Sequence, residues 1–226
     1  MKFNIAIDGP AGAGKSTIAK MLAERLGFVY IDTGAMYRAM AYYYMTKDID
    51  IDDKDAVIAE FDNIGIELRY IDGVQHIYLN KEDVSDRIRT AEVGENASKV
   101  SAIAEVRKKL VALQQQIAKS INVVMDGRDI GSVVLPDAEL KIYLTASVEV
   151  RAQRRYKERI DKGQEADLAA IEEEIRQRDY RDMHRDASPL ICVEDAVTVD
   201  TSYMTIEEVA ARICDLAVQK GFKDEA

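Results

Sequence analysis

The residues best suited to chemistry lie near the start of the chain, between Gly9 and Ser16. Gly9, Gly14, Lys15 and Ser16 match the phosphate-binding pattern G-x-x-x-x-G-K-S/T at every fixed position. The glycines let successive backbone N–H groups point into one hollow, which suits a phosphate. Lys15 is of the right type to reach the β- and γ-phosphates, and the Ser16 hydroxyl to hold Mg²⁺. We therefore expect a nucleoside triphosphate to bind to Gly9, Pro10, Ala11, Gly12, Ala13, Gly14, Lys15, Ser16 and Thr17.

The segments on either side of this loop predict the elements that it requires. Residues 3–7 are mostly apolar and predict a short buried strand. After the loop, Ile18, Met21 and Leu22 recur at helical spacing, and Gly27 ends the run. The helix would direct the positive end of its dipole at the phosphate. A glycine-rich turn that precedes a lysine by chance would not explain this order of strand, loop and helix.

A second candidate metal ligand follows a later apolar segment. Residues 122–126 predict a strand that ends in Asp126, and residues 127–131 continue as Gly-Arg-Asp-Ile-Gly. In a chain with a phosphate loop, a carboxylate at a strand end fits a Mg²⁺ site, directly or through a water molecule. A carboxylate that caps the following turn fits the pattern equally well. Both interpretations of Asp126 stay open on the sequence alone.

Arginine residues are concentrated between residues 151 and 185 of an otherwise acidic chain. They are Arg151, Arg154, Arg155, Arg159, Arg176, Arg178, Arg181 and Arg185. Acidic residues share the segment, so a solvated pair of charged helices is one interpretation. However, the spacing of Arg178, Asp182 and Arg185 predicts one shared helix face, which could clamp a phosphate. Residues 151–163 are basic and end in glycine, which predicts a mobile lid over the triphosphate.

Length and composition limit the class of protein. The 226 residues are 47% hydrophobic and 32% charged, which is ordinary for a globular protein, and the formal net charge is −10. Such a charge argues against an extended nucleic-acid or membrane-surface footprint. Residues 1–7 are too short for a signal-peptide core, and no apolar run is long enough to span a membrane. Cys192 and Cys214 are spaced like neither a metal site nor a redox pair, so we expect reduced thiols and a cytoplasmic protein.

Short apolar segments that alternate with helical patterns predict an α/β fold. The strands are expected at residues 3–7, 28–31, 122–126, 139–144 and 196–200. This alternation predicts a five-stranded, mostly parallel sheet with helices on both faces, and a site at the carboxyl ends of the strands. Residues 66–71 and 74–79 alternate in polarity around Asp72-Gly73, which predicts an antiparallel hairpin in an inserted subdomain.

The helical patterns differ in clarity. Helices are expected over residues 32–45, 147–159 and 168–186, and a closing helix to residue 220 begins at a Thr205–Glu208 capping box. Residues 91–119 carry apolar side chains three and four apart, which predict one continuous helical stripe. Residues 47–55 are acidic without a helical pattern and predict a solvated connector.

One motif points to a different class of protein. Residues 80–83 read Asn-Lys-Glu-Asp, which matches the guanine-reading N-K-x-D motif of GTPases. In those proteins the motif follows a core strand late in the fold, after a D-x-x-G segment. Here it follows a hairpin and precedes the Asp126 strand, so its polar composition predicts a turn.

Four segments together resemble the bacterial cytidylate kinases. Residues 32–38, Asp-Thr-Gly-Ala-Met-Tyr-Arg, are similar to the D-S/T-G-x-x-Y-R segment of that family. Residues 82–90, with Glu-Asp-Val-Ser and Ile-Arg-Thr, residues 126–131, Asp-Gly-Arg-Asp-Ile-Gly, and residues 178–185, Arg-Asp-Tyr-Arg-Asp-Met-His-Arg, are similar to three more. The resemblance covers nearly the whole chain in the right order. It implies a P-loop nucleoside monophosphate kinase with a three-layer α/β/α core, an inserted monophosphate-binding subdomain and a short helical lid.

The resemblance also implies domain boundaries and roles for matching residues. One kinase domain, 1–226, would comprise a core at 1–40, 86–150 and 186–226, an insertion at about 41–85, and a lid with the arginine-rich helix at about 151–185. Arg38, Arg128 and Arg185 match positions on the acceptor phosphate; Ser98, Arg107 and Asp129 match those at the cytosine edge; Arg178 and Asp182 match those at the sugar. Thr33 stands where some relatives carry serine, and Arg155 is the lid residue that we assign to catalysis. Relatives have Gly-Thr where this chain has Ser16-Thr17, which leaves open which hydroxyl holds Mg²⁺.

These observations predict transfer of a phosphoryl group from ATP to CMP or dCMP, with Mg²⁺ as cofactor. Lys15, Arg128, Arg185 and Arg155 would be catalytic, and Ser16 and Asp126 would hold the metal. We expect a monomer without nucleic-acid or membrane partners. The alternatives are another small-molecule P-loop kinase and a nucleotide-switched protein of the GTPase type.

Overall fold

The computed structural model describes residues 2–71 and 73–223, which form two compact units. The first unit comprises Met1–Tyr30 and Ser120–Ala226, and the second comprises Ile31–Lys119. The strands in chain order are β1 (Ile5–Asp8), β2 (Val29–Asp32), β3 (Ile66–Ile71), β4 (Val74–Leu79), β5 (Glu82–Asp83), β6 (Val123–Gly127), β7 (Leu140–Thr145) and β8 (Val197–Asp200). The helices are α1 (Lys15–Leu26), α2 (Thr33–Thr46), α3 (Lys54–Ala59), α4 (Ala91–Val100), α5 (Ala104–Ala118), α6 (Val148–Asp161), α7 (Leu168–His184) and α8 (Ile206–Gln219).

The larger sheet has five strands in the order β2-β6-β1-β7-β8. Strand β1 pairs in parallel with both β6 and β7, and β7 pairs in parallel with β8. The predicted five-stranded parallel sheet is therefore confirmed. In the register of β1 with β6, Ile7 lies beside Asp126 and Asp8 beside Gly127. The carboxyl ends of these two neighbouring strands consequently deliver Asp8 and Asp126 to one edge of the sheet.

The core of the first unit forms around the apolar side chains of β1, β6 and β7. Their buried side chains, such as Ile5, Val124 and Ile142, pack with Leu22 of α1 and Ile213 of α8. Helix α8 begins at the predicted capping box, in which the Thr205 and Glu208 side chains each bond the other residue's backbone N–H. These contacts pack α1 and α8 against the sheet from which the phosphate loop begins.

Helices α6 and α7 form a pair within the first unit. Helix α6 begins at Ser147, whose hydroxyl accepts from the Val150 N–H, and α7 begins at Asp167, which accepts from two backbone N–H groups. Ala152 packs against Ile171 and Ile175 in a small separate core. Both helices were expected from the charge and apolar patterns, although α7 ends earlier than predicted.

The second unit combines α2 to α5 with a three-stranded sheet of order β3-β4-β5. The antiparallel pairing of β3 with β4 confirms the predicted hairpin, although Asp72 of its predicted turn lies outside the described residues. The predicted turn at 80–83 is confined to Asn80 and Lys81, which have φ values of 49° and 73°. The Asn80 side chain closes it by accepting from the Gly65 N–H at 2.7 Å. The turn leads into the short strand β5, which the sequence did not predict.

The structure corrects three predicted elements. The expected continuous helix over 91–119 is wrong: α4 ends at Val100, and α5 begins only at Ala104, after Ile103 adopts an extended backbone. Burial of the Ile103 side chain in the core of the second unit favours this break. The end of the expected connector at 47–55 starts helix α3, because Asp53 caps it by accepting two backbone N–H groups. Helix α7 ends at His184 rather than near residue 186.

The compact units differ in extent from the predicted subregions. The second unit runs from Ile31 to Lys119 and is wider than the expected insertion at 41–85, because α2, α4 and α5 share one apolar core. The division of the chain into a core, a monophosphate-binding insertion and a lid remains a prediction.

Candidate active site

The phosphate loop lies between β1 and α1 and has the backbone that its sequence requires. Gly9, Gly12 and Gly14 have φ values of 149°, 78° and 91°, which side-chain-bearing residues rarely adopt. At Gly9 a Cβ atom would lie 1.9 Å from the Leu144 carbonyl oxygen of the neighbouring strand. Only glycine fits there, so the loop packs directly onto the sheet edge. The loop then enters α1 at Lys15, which places its N–H groups at a helix N-terminus.

Lys15 is buried inside this loop. Its Nζ donates to the carbonyl oxygens of Gly9 and Pro10, each at 2.7 Å. Burial first, and the positive charge of Arg128 second, lower the pKa of Lys15 well below its usual value. The Lys15 Nζ therefore lies within the loop in a position suited to an anion. A bound anion would favour the protonated form of Lys15.

Asp126 and Ser16 form the pair that the metal interpretation requires. The Ser16 hydroxyl donates to Asp126 Oδ2 at 2.9 Å, and the Tyr30 hydroxyl donates to Asp126 Oδ1 at 2.8 Å. A hydroxyl and a carboxylate are oxygen ligands of the kind that Mg²⁺ prefers. Within residues 2–71 and 73–223, no group of three or more His, Cys, Asp or Glu side chains could hold a metal ion. A cation here would consequently take further oxygens from phosphate or water.

Arg128 and Asp182 form a buried ion pair at the end of β6. Arg128 Nε donates to Asp182 Oδ2 at 2.7 Å, and Arg128 Nη1 donates to the Gly127 carbonyl at 3.2 Å. Burial is the largest single influence and would raise the pKa of Asp182, but the charge and hydrogen bond of Arg128 and the neighbouring arginines together hold the pKa below its usual value. Arg178 and Arg185 add to this lowering. Three guanidinium groups, those of Arg128, Arg178 and Arg185, thus lie near Asp182 within the first unit, and their use as a phosphate clamp stays a prediction.

Arg185 caps the C-terminus of α7, where its backbone N–H still bonds the Arg181 carbonyl, and it joins this cluster from the end of the helix. Its backbone is extended, with φ −68° and ψ 144°, because the chain turns back after α7. The Leu190 N–H bonds the Asp182 carbonyl, and Arg185 Nε donates to the Ser188 carbonyl at 2.8 Å. The Arg185 side chain is nearly buried, and its Nη2 lies 3.8 Å from Asp129 Oδ1.

Two residues of the predicted lid are fastened to the rest of the first unit. Arg151 is buried, forms a two-point ion pair with Asp179 at 2.6 and 3.1 Å, and donates to the Ala11 carbonyl of the phosphate loop. Arg154 donates to the carbonyl and hydroxyl of Thr201. The start of α6 therefore cannot swing freely, and a lid would have to begin after Arg154. Arg155 is the first of the candidate residues beyond that point and is half-buried.

Arg38 and Thr33 lie on α2 in the second unit. Asp32 caps α2 by accepting from the Ala35 N–H, and its other oxygen accepts from Arg38 Nη2 at 2.7 Å. Arg38 Nε is buried and has no hydrogen-bond partner among the described residues. The Thr33 side chain is also buried. The motif at 32–38 is therefore a helix start that orients a guanidinium group through its capping carboxylate.

Arg107 and Ser98 lie on either side of the break between α4 and α5. The buried Arg107 side chain donates from Nη1 to the Ser101 carbonyl at 3.1 Å and lies over the Tyr37 ring at 5.4 Å. The Ser101 hydroxyl in turn donates to the Ser98 carbonyl at 2.8 Å. The unpredicted break thus connects the two candidate residues, since an unbroken helix would engage the Ser101 carbonyl in its own ladder.

Several contacts of the site were missed from sequence. Asp8 accepts from the N–H groups of Ile130 and Gly131, each at 2.7 Å, and burial raises its pKa to about 6 in spite of these bonds. Its position at a strand end was a signal, but no partner could be read from the sequence. Tyr30 and Asp179 carried no signal, since tyrosine in a strand and aspartate in a charged helix are common.

The described part of the chain contains no helix long and apolar enough to cross a membrane. Both Cys192 and Cys214 are free thiols, with Cys192 exposed.

Known proteins resemble this chain over nearly its whole length. A family model described as cytidylate kinase matches residues 5–219. The chain is similar to a cytidylate kinase of Caldicellulosiruptor saccharolyticus, at 50% identity over 95% of each chain, and to one of Streptococcus sanguinis, at 52% identity over 94% of this chain and 95% of that one. A solved structure of an uncharacterized protein from Eubacterium ventriosum has a TM-score of 0.56 at 11% identity, covering 96% of this chain and 99% of that one, a likeness of fold alone. On the family match and the two close relatives, the chain belongs to the cytidylate kinase family.

Proposed function

We propose that this protein transfers the γ-phosphoryl group of ATP to CMP and dCMP, which gives CDP or dCDP and ADP. Family membership supports this reaction. The observation that carries it in the structure is the placement, within one unit, of a phosphate loop and a buried cluster of Arg128, Asp182, Asp129 and Arg185. Arg128 lies close enough to Lys15 for its charge to lower the pKa of the lysine. A group for the phosphoryl donor and a group for the phosphoryl acceptor therefore lie side by side.

The donor half of the mechanism uses the loop and its lysine. Backbone N–H groups of residues 9–17 would bind the phosphates of ATP at the N-terminus of α1. Lys15 would exchange its carbonyl partners at Gly9 and Pro10 for phosphate oxygens, which carry full charge and form stronger bonds. Charge that develops on the transferred group is then stabilised by a cation already in place, without reorganisation of solvent.

The residues around Ser16 fit a bound Mg²⁺. Ser16 and Asp126 would hold it, because their oxygens already lie within 2.9 Å of one another and few other protein ligands are needed. The adjacent Thr17 is the alternative hydroxyl. Mg²⁺ supplies neutralisation of phosphate charge when bound. Tyr30 would orient Asp126 through its other oxygen.

The acceptor half rests on matching family positions. We assign Arg38, Arg128 and Arg185 to the acceptor phosphate, and Ser98, Arg107 and Asp129 to the cytosine edge. Arg178 and Asp182 are assigned to the sugar, and Thr33 to hydrogen bonding with the nucleotide. We assign Arg155 to the transferred phosphoryl group. Arg151 and Arg154 hold the start of α6, and Arg155 is the first arginine in the part of the helix where a lid would begin. Positioning by these groups would supply most of the rate enhancement.

Three further proposals concern oligomeric state, location and partners. We propose a monomer that acts in the cytoplasm without nucleic acid, which the net charge of −10 and the free thiols support. Light scattering at working concentration tests the first point, and a two-fold mass would contradict it.

An acceptor panel tests the proposed function. The protein is incubated with ATP and MgCl₂ and with each of CMP, dCMP, UMP, AMP and GMP, and the nucleotide products are separated by chromatography. CMP and dCMP should be converted most efficiently, and Lys15→Ala serves as the inactive control. Efficient conversion of another acceptor in place of CMP would favour a different small-molecule kinase, and GTP hydrolysis without any phosphorylated acceptor would favour a switch protein.

A further inference from the structure

Asp8 is a buried carboxylate to which the mechanism above gives no role. It ends β1, directly before the phosphate loop, and is only 6% exposed. Each of its two oxygens accepts one backbone N–H, from Ile130 and from Gly131, at 2.7 Å. Both donors belong to the loop that follows β6 and carries Arg128 and Asp129. The Asp8 side chain thus holds two consecutive peptide groups of the loop after β6 against the end of β1.

This contact leaves the loop little freedom. A Cβ atom at Gly131 would lie 3.4 Å from Asp8 Oδ2 and 3.2 Å from Lys141 Cδ, so glycine permits the close approach. The rest of the loop closes on itself, because the Asp129 carbonyl accepts from both Val133 and Val134. On the side of the loop that faces β1, the backbone conformation therefore depends on Asp8.

The surroundings of Asp8 indicate that stabilisation of the fold does not explain a carboxylate at this position. Asp129 adds a second negative charge nearby, and Lys15 offsets it in part. Burial beside a like charge destabilises the ionised form, and a neutral side chain would avoid that cost. What a neutral amide side chain cannot supply is two acceptor oxygens, one for each N–H group.

We propose that Asp8 is a positioning residue: by holding the Ile130 and Gly131 peptide groups, it orients Arg128 and Asp129 for the acceptor nucleotide. The inference rests on the proposed function. It predicts that a substitution at Asp8 changes the KM for the acceptor nucleotide more than the KM for ATP, although Asp8 directly precedes the ATP-binding loop in sequence.

The test compares Asp8→Asn with the parent and with Asp53→Asn. Asp53 also accepts two backbone N–H groups, at 3.1 Å, but does so on the surface at the start of α3. In Asp8→Asn an amide N–H₂ replaces one acceptor, so we expect KM for CMP to rise about ten-fold or more and the CMP-to-UMP ratio of kcat/KM to fall. KM for ATP should stay within about two-fold, as should every constant of Asp53→Asn.

A second variant and a second readout cover the remaining outcomes. Gly131→Ala places a methyl group 3.2 Å from Lys141 Cδ and 3.4 Å from Asp8 Oδ2, so it crowds the loop beside the same contact without removing charge. It should shift KM for CMP in the same direction, and it is the variant to measure if Asp8→Asn does not fold. An unchanged KM for CMP, or an equal rise in KM for ATP, overturns the proposal. Amide exchange in the parent and in the variant that folds must show faster exchange at Ile130 and Gly131 in the variant. If the parent does not phosphorylate CMP, the proposed function fails, while the exchange data still decide whether Asp8 holds the loop.

Discussion

Replacing Asp8 by asparagine should change how the stability of the protein depends on pH. Burial raises the pKa of Asp8 from 3.8 to about 6 in the folded state, although the N–H groups of Gly131 and Ile130 oppose the shift. The folded protein therefore binds this proton more tightly than the unfolded chain does. The stabilisation by protonated Asp8 is complete below about pH 4 and is lost as pH rises through about 6. With about 1.4 kcal/mol for each pKa unit, the loss amounts to about 3 kcal/mol.

The assay is urea unfolding of the parent and of Asp8→Asn from pH 4 to pH 7. The parent-minus-variant difference in the free energy of unfolding should fall by about 2.5 kcal/mol over this range, which is most of the total. Taking the difference removes the titration of the other carboxylates, which both proteins share. Asp83→Asn, measured from pH 4 down to pH 2, is a control of opposite sign, because the hydroxyl and backbone N–H of Ser85 lower the pKa of Asp83 to about 2. Its stabilising contribution is present above pH 4 and is lost toward pH 2. A parent-minus-variant difference for Asp8 that is flat, or that rises with pH, would refute the reasoning.

Two substitutions and one hydrogen-exchange measurement test other parts of the site. Lys15→Ala should lower kcat about a hundred-fold or more with an unchanged circular dichroism spectrum, since it removes the cation from the phosphate loop; near-normal turnover would exclude the donor assignment. Hydrogen exchange of residues 155–163 should slow when CMP and a non-hydrolysable ATP analogue bind, whereas residues 148–154, fastened through Arg151 and Arg154, should be protected in both states; equal protection of 155–163 in both states would argue against a lid. Asp129→Ala should reduce the CMP-to-UMP ratio of kcat/KM by about ten-fold or more, mainly by weakening CMP, because UMP presents a carbonyl where CMP presents an amino group; an unchanged ratio would remove Asp129 from base recognition.

The sequence was most informative where the chemistry is local. The pattern between Gly9 and Ser16 predicts a loop whose backbone and lysine need no distant partner, and strand periodicity predicts the five-stranded sheet that positions it. Asp126 stayed ambiguous because a metal ligand and a turn cap look alike in sequence. Its contact with Ser16, across 110 positions of chain, favours the metal interpretation.

Contacts between distant segments could not be predicted. Nothing in the sequence pairs Asp8 with a loop more than 120 positions away, or Arg151 with Asp179. Periodicity also missed the break between α4 and α5, since Ile103 suits the apolar stripe of a continuous helix just as well as the core that it enters in an extended conformation. Tertiary burial overrides helical spacing at such a position.

The most direct measurement follows the transferred phosphoryl group itself. The protein is mixed in excess with ATP labelled at the γ-phosphate, in the presence of Mg²⁺ and CMP, and the reaction is stopped within one turnover. The account predicts that the label appears in CDP, with little in inorganic phosphate, and that Lys15→Ala slows the transfer about a hundred-fold or more. Label that appears in inorganic phosphate while CMP remains unmodified would contradict it.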